Sequence, residues 1–188
     1  MNMEWNTILN FAKNPVYQED TNTDLKYRLI ILSRLLMSAL TISIFLGMLI
    51  GGLKTAFHLD LGKHALDDFM AEYSALTLLL AAVILAPFFE ELLFRGPLYF
   101  FRNSQYFNYA FYSLTLIFGF YHITNFELTA TTLALAPLLV LPQMSIGVFL
   151  GFVRVRFGLP WAMAFHAVYN FVLVTPMLIL HLLEIPVP

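Results

Sequence analysis

The sequence predicts an all-α membrane protein: a polytopic transmembrane helical bundle of one domain, with about five to six spans. Three observations carry this. The chain of 188 residues is 60% hydrophobic and only 12% charged, where a soluble domain carries roughly 25% charged residues. Its mean hydropathy is +0.75. The apolar residues fall in long uncharged runs divided by short polar breaks, as a hydrocarbon core about 30 Å thick requires. The net charge of −2 gives no footing for nucleic acid or an acidic partner, and the absence of cysteine rules out disulfides, Cys-x-x-Cys redox chemistry and thiolate metal sites.

Residues 1–28 form a polar N-terminal segment without the basic, apolar and small-residue order of a cleavable signal. Trp5, Ile8, Leu9 and Phe11 give part of it an apolar side suited to the membrane surface, with a loosely ordered tail as the alternative. Leu35 to Leu53 is uncharged and long enough to cross. Lys54 to Glu72 reads as a polar loop. Tyr73 onward is the second span, disturbed at Gly96-Pro97, since proline removes a donor and clashes with the preceding turn. Tyr106 to Phe126 is the third. Leu128 to Val153 is the fourth, interrupted by Pro137 and Pro142, and Leu159 to Leu183 is the fifth. The catalytic helical core is expected within 73–183.

Lys13, Lys26, Arg28 and Arg34 precede the first span, Arg102 follows the second, and Arg154 and Arg156 follow the fourth. The positive-inside bias then predicts a multi-pass membrane protein with its N-terminus in the cytoplasm; the membrane expected is a bacterial cytoplasmic one. An odd number of spans puts Glu184 and Pro188 on the far side.

The uncharged run Tyr73–Phe89 ends on Glu90 and Glu91. One charged side chain at a bilayer centre costs roughly 2.5–3.5 kcal/mol on the mildest scale, so two adjacent ones need partners or a wet cavity. Glu91 and Arg95 are four apart and share a helix face. Glu90 lies about 100° round the helix from Glu91, which leaves one carboxylate held and one available. Phe118 and His122 are four apart, as are His166 and Asn170. At about 1.5 Å per residue, Glu90, His166 and Asn170 fall at similar depths, with His122 deeper by a turn or so. Each histidine taken alone reads equally well as an interhelical hydrogen-bonding residue.

Together, Glu90-Glu91-x-x-x-Arg95, Phe118-x-x-x-His122 and His166-x-x-x-Asn170 resemble the motifs of the CPBP membrane proteases, named after CAAX proteases and bacteriocin-processing enzymes. Arg95-Gly96 and Arg154-x-Arg156-x-Gly158 extend the resemblance. It covers roughly residues 78–174. What it implies is an intramembrane endopeptidase in which Glu90 and His122 activate water while His166 and Asn170 stabilise the oxyanion. Glu91, Arg95 and Phe118 would support the site. The substrate would be a membrane-associated peptide or protein, either CAAX-like or tied to bacteriocin export, met in a setting of membrane lipid.

No cofactor is favoured, because every residue of the set has a metal-free role. The alternative is a zinc ion on Glu90, His122 and His166 with an open position for water, although no His-Glu-x-x-His is present. A transporter would also keep Glu and His inside a bundle, but no internal repeat is visible. A non-catalytic binding or immunity protein is the remaining alternative. Nothing in the sequence sets the oligomeric state.

Overall fold

The structure is a computed structural model and describes residues 2–183. Trp5's side chain, Glu184 and Pro188 lie outside what it describes. Helix α1 (Asn2–Lys13) leads through an extended segment to α2 (Leu25–Ala56), whose first turn is closed by the Asp24 carboxylate accepting from Tyr27 N–H at 2.7 Å. The stretch read as a polar loop contains α3 (Ala65–Glu72), started by a capping box in which His64 accepts from Leu66 N–H and Asp67 accepts from His64 N–H. His64 replaces the usual Ser or Thr of that motif.

The second run holds α4 (Ala75–Leu80), a π-turn (Ala81–Leu85), α5 (Ala86–Phe94) and a 3-10 turn (Gly96–Phe101). Pro97 therefore changes the helix type and does not break the rod. Helix α6 (Phe107–Tyr121) passes into a 3-10 turn (His122–Asn125). The expected fourth span is not one helix. It divides into α7 (Ala130–Ala134), α8 (Ala136–Leu139) and α9 (Leu141–Phe157). Pro137 and Pro142 stand in the first turns of α8 and α9, where a missing N–H costs nothing. Gly158, at φ +96°, makes the turn into α10 (Leu159–Leu182).

Among the described residues, three stretches are long and apolar enough to cross a membrane: Leu25–Ala56, Ala75–Phe101 and Leu159–Leu182. Helices α6 and α9, expected as spans three and four, have 15 and 17 residues, about 22 and 26 Å at 1.5 Å per residue. Helix α9 sits inside the bundle against α2, α6 and α10, with Leu150 and Val153 fully buried. Gly147 and Gly151 let α6 approach it: a Cβ on Gly151 would strike the Phe111 ring, and one on Gly147 would lie 3.0 Å from Thr115.

The N-terminal segment is packed on the bundle and is not a loose tail. Ile8 and Phe11 are buried, and the Phe11 ring meets Phe111 and Phe152 edge-on at 5.0 and 5.2 Å. Tyr112 hydroxyl donates to the Ala12 and Lys13 carbonyls, and Asp20 N–H donates to Arg156 C=O at 2.9 Å. Protein takes the Ile8 and Phe11 side of α1, because α6 and α9 present Phe111 and Phe152 there, while Leu9 stays exposed.

Candidate active site

Helix α5 supplies the two carboxylates, and their neighbours differ as their angular offset requires. Glu91 is fully buried toward the bundle interior, and its Oε1 lies 3.1 Å from Arg95 Nη1. Arg95 is 2% exposed; its Nη2 donates to Gly147 C=O at 3.4 Å and its guanidinium lies 3.8 Å from the Phe118 ring centre. Glu90 is turned to a cavity and its side chain keeps 17% exposure.

Glu91 does more than hold Arg95. His166 Nδ1 sits 2.9 Å from Glu91 Oε1, a contact between residues 75 apart. A carboxylate paired with arginine accepts and does not donate, so His166 Nδ1 carries the hydrogen. His122 Nδ1 is 2.8 Å from Phe118 C=O, an acceptor only, so it too is the donor. In their neutral forms both rings then present an Nε2 lone pair. Those two atoms lie 3.9 Å (His122) and 3.7 Å (His166) from Glu90 Oε2. His122 is thus level with Glu90: it starts the 3-10 turn after α6, and its ring reaches back. Phe118 is 1% exposed and packs edge-on against His122 at 4.7 Å and His166 at 6.1 Å, fixing both rings below Arg95.

Asn170 lines the same cavity, and its Nδ2 donates to the Ala82 carbonyl in the π-turn at 2.8 Å. The cavity has a volume of about 370 Å³ and is lined by Glu90, His122, His166 and Asn170, with Ser43, Asn125 and Gln143 around them. That is at the lower end of the range for small-ligand sites, about 300–1,000 Å³. Helix α2 closes one side, pinned where Tyr169 hydroxyl donates to Ser43 at 2.6 Å.

The donor set suits zinc by type, but donors around a tetrahedral ion with bonds of about 2.1 Å stand roughly 3.4 Å apart. The 3.7 and 3.9 Å separations from Glu90 are wider, and among the described residues no group of three His, Asp or Glu side chains has ligand geometry. The same separations leave room for one water that donates to two of these three acceptors, Glu90 and one ring nitrogen.

Arg154 has a place that its spacing did not reveal. It was expected as an interfacial charge closing a span; instead it is 6% exposed, and its Nε donates to Arg95 C=O at 3.2 Å. Its only outward sequence signal is membership of Arg154-x-Arg156-x-Gly158. Arg156 pairs with Asp20 at 3.2 Å.

Residues 72–172, more than half of the chain, match the family model described as Type II CAAX prenyl endopeptidase Rce1-like. The chain belongs to this family. It is a membrane protein with the domain of a CAAX-type intramembrane protease. The Rce1-like region runs from the end of α3 into α10 and contains Glu90, Glu91, Arg95, His122, His166 and Asn170. Helices α1 and α2 lie outside it, although α2 contributes Ser43 and Gly47 to the cavity wall. No curated protein and no solved structure matches the chain.

Proposed function

We propose that the chain hydrolyses a peptide bond of a membrane-associated substrate without a metal, with Glu90 as general base. The observation that carries this is a largely buried carboxylate, still open to a cavity, facing two imidazole Nε2 atoms across a gap of one water. Glu90 takes a proton from that water while His122 Nε2 orients it. Hydroxide adds to the carbonyl carbon, and the proton passes from Glu90 to the departing amine nitrogen.

His166 and Asn170 serve the oxyanion. Because His166 Nδ1–H is engaged by Glu91, Nε2 donates only when the ring is an imidazolium. Glu91 is placed to stabilise that cation, as the carboxylate behind a catalytic histidine does elsewhere. Glu91 then orients the ring as well as holding Arg95.

The family description names a prenyl endopeptidase, so a prenylated C-terminal CAAX-type peptide is the first substrate class, with an unprenylated membrane-anchored peptide beside it. The N-terminus is assigned to the cytoplasm on Lys13, Lys26, Arg28 and Arg34, since Arg154 is buried and no longer counts as a loop charge. The test is cleavage of both peptides by protein in nanodiscs, read by product mass. Cleavage by wild type and none by Glu90→Gln is expected; no cleavage of any membrane peptide by wild type would leave a binding protein instead.

A further inference from the structure

The π-turn in the second span has a local cause with a distant effect. In a regular helix the Ala82 carbonyl would accept from Ala86 N–H. Here the turn is widened and Ala86 N–H is bonded to Ala81 C=O. In the widened pattern Ala82 would take the N–H of the residue five ahead, which is Pro87, and proline has none. A carbonyl inside a bundle without a donor is costly. The structure fills the vacancy from another helix: Asn170 Nδ2 donates to Ala82 C=O at 2.8 Å. Pro87 itself is fully buried.

We propose that Pro87 is a positioning residue for the oxyanion donor: by withholding an N–H it reserves the Ala82 carbonyl for Asn170. An amide nitrogen has two hydrogens in one plane. Anchoring one on Ala82 fixes that plane and leaves the other for the cavity that Asn170 lines. Without the anchor the side chain rotates about two single bonds, and the donor is no longer aimed in advance. The inference rests on the proposed role of Asn170, and its first test does not.

That test reads the hydrogen bond directly. The chain has two Ala-Val pairs, Ala82-Val83 and Ala167-Val168, so carbonyl-13C alanine with 15N valine yields two carbonyl signals. The Ala82 signal should move upfield in Asn170→Ala while the other stays nearby. An unmoved pair of signals overturns the proposal whatever the activity. The second test is kinetic. Asn170→Ala should lower kcat by about 10²-fold. Pro87→Ala, which restores an N–H to compete for Ala82, should lower kcat about 10–100-fold with KM little changed. In the Asn170→Ala background, Pro87→Ala should cost nothing further. An equal loss in both backgrounds would make Pro87 a residue of helix register alone and overturn the proposal. If Pro87→Ala does not fold, the carbonyl shift decides.

Discussion

Glu91→Gln is the most informative single change, because Glu91 Oε1 serves both Arg95 and His166. The amide keeps the shape and can still accept from His166 Nδ1–H, but it removes the negative charge. Arg95, 2% exposed, would retain a long bond to Gly147 C=O and the face of Phe118. Breaking a buried ion pair costs about 3–5 kcal/mol. The lower end applies, since Arg95 Nη1 meets Glu91 off the hydrogen-bonding axis and Glu91 Oε2 has no hydrogen-bond partner among the described residues. About 3 kcal/mol is a large part of the 5–15 kcal/mol that holds a typical domain, so a clear fall in Tm is expected. Activity should fall separately, by about 10²–10³, as the His166 ring loses the carboxylate that stands behind it. Adding Arg95→Met to Glu91→Gln removes the stranded cation, and should recover much of the Tm but none of the kcat. Thermal unfolding in detergent and kcat in nanodiscs for the three variants give both readouts. If Tm and kcat recover together, Glu91 acts on the helix alone and the assignment to His166 is wrong.

Glu90→Gln should abolish cleavage and leave Tm nearly unchanged, because Glu90 is partly exposed and has no cation closer than the histidines; a residual rate near wild type would remove the base. Cleavage should survive exhaustive chelation; loss restored by zinc would recast Glu90, His122 and His166 as ligands. Acid should release the N-terminal segment. Burial raises the Asp20 pKa, but Asn22 N–H, the Tyr27 hydroxyl and Arg156 outweigh it and hold the carboxyl below its ordinary 3.8. A carboxyl with a depressed folded-state pKa contributes stability above its unfolded pKa and loses it as pH falls through the folded value. Pepsin cleavage near residue 20 should therefore rise below about pH 4 in wild type, and Asp20→Asn should be cut more readily already at higher pH; identical profiles would show that Asp20 does not hold the segment.

What the sequence determined by itself is whatever reaches no further than a turn of helix. Low charge and long apolar runs set the all-α membrane class. The i, i+4 rule paired Glu91 with Arg95 and left Glu90 apart, as the structure has them. Three short motifs named the polar residues that line or flank the cavity. Tertiary structure decided who faces whom. Glu91 meets His166 across 75 residues, Arg154 turns inward to the Arg95 carbonyl across 59, and Asn170 reaches Ala82 across 88. The N-terminal segment from Asn2 on, polar on average, is held because α6 and α9 offer Phe111 and Phe152 to Phe11. Periodicity tells which side of a helix is apolar, but lipid and protein are equally apolar neighbours. Only the packing of helices distant in sequence says which of the two a side chain meets, and which lone pair is left for chemistry.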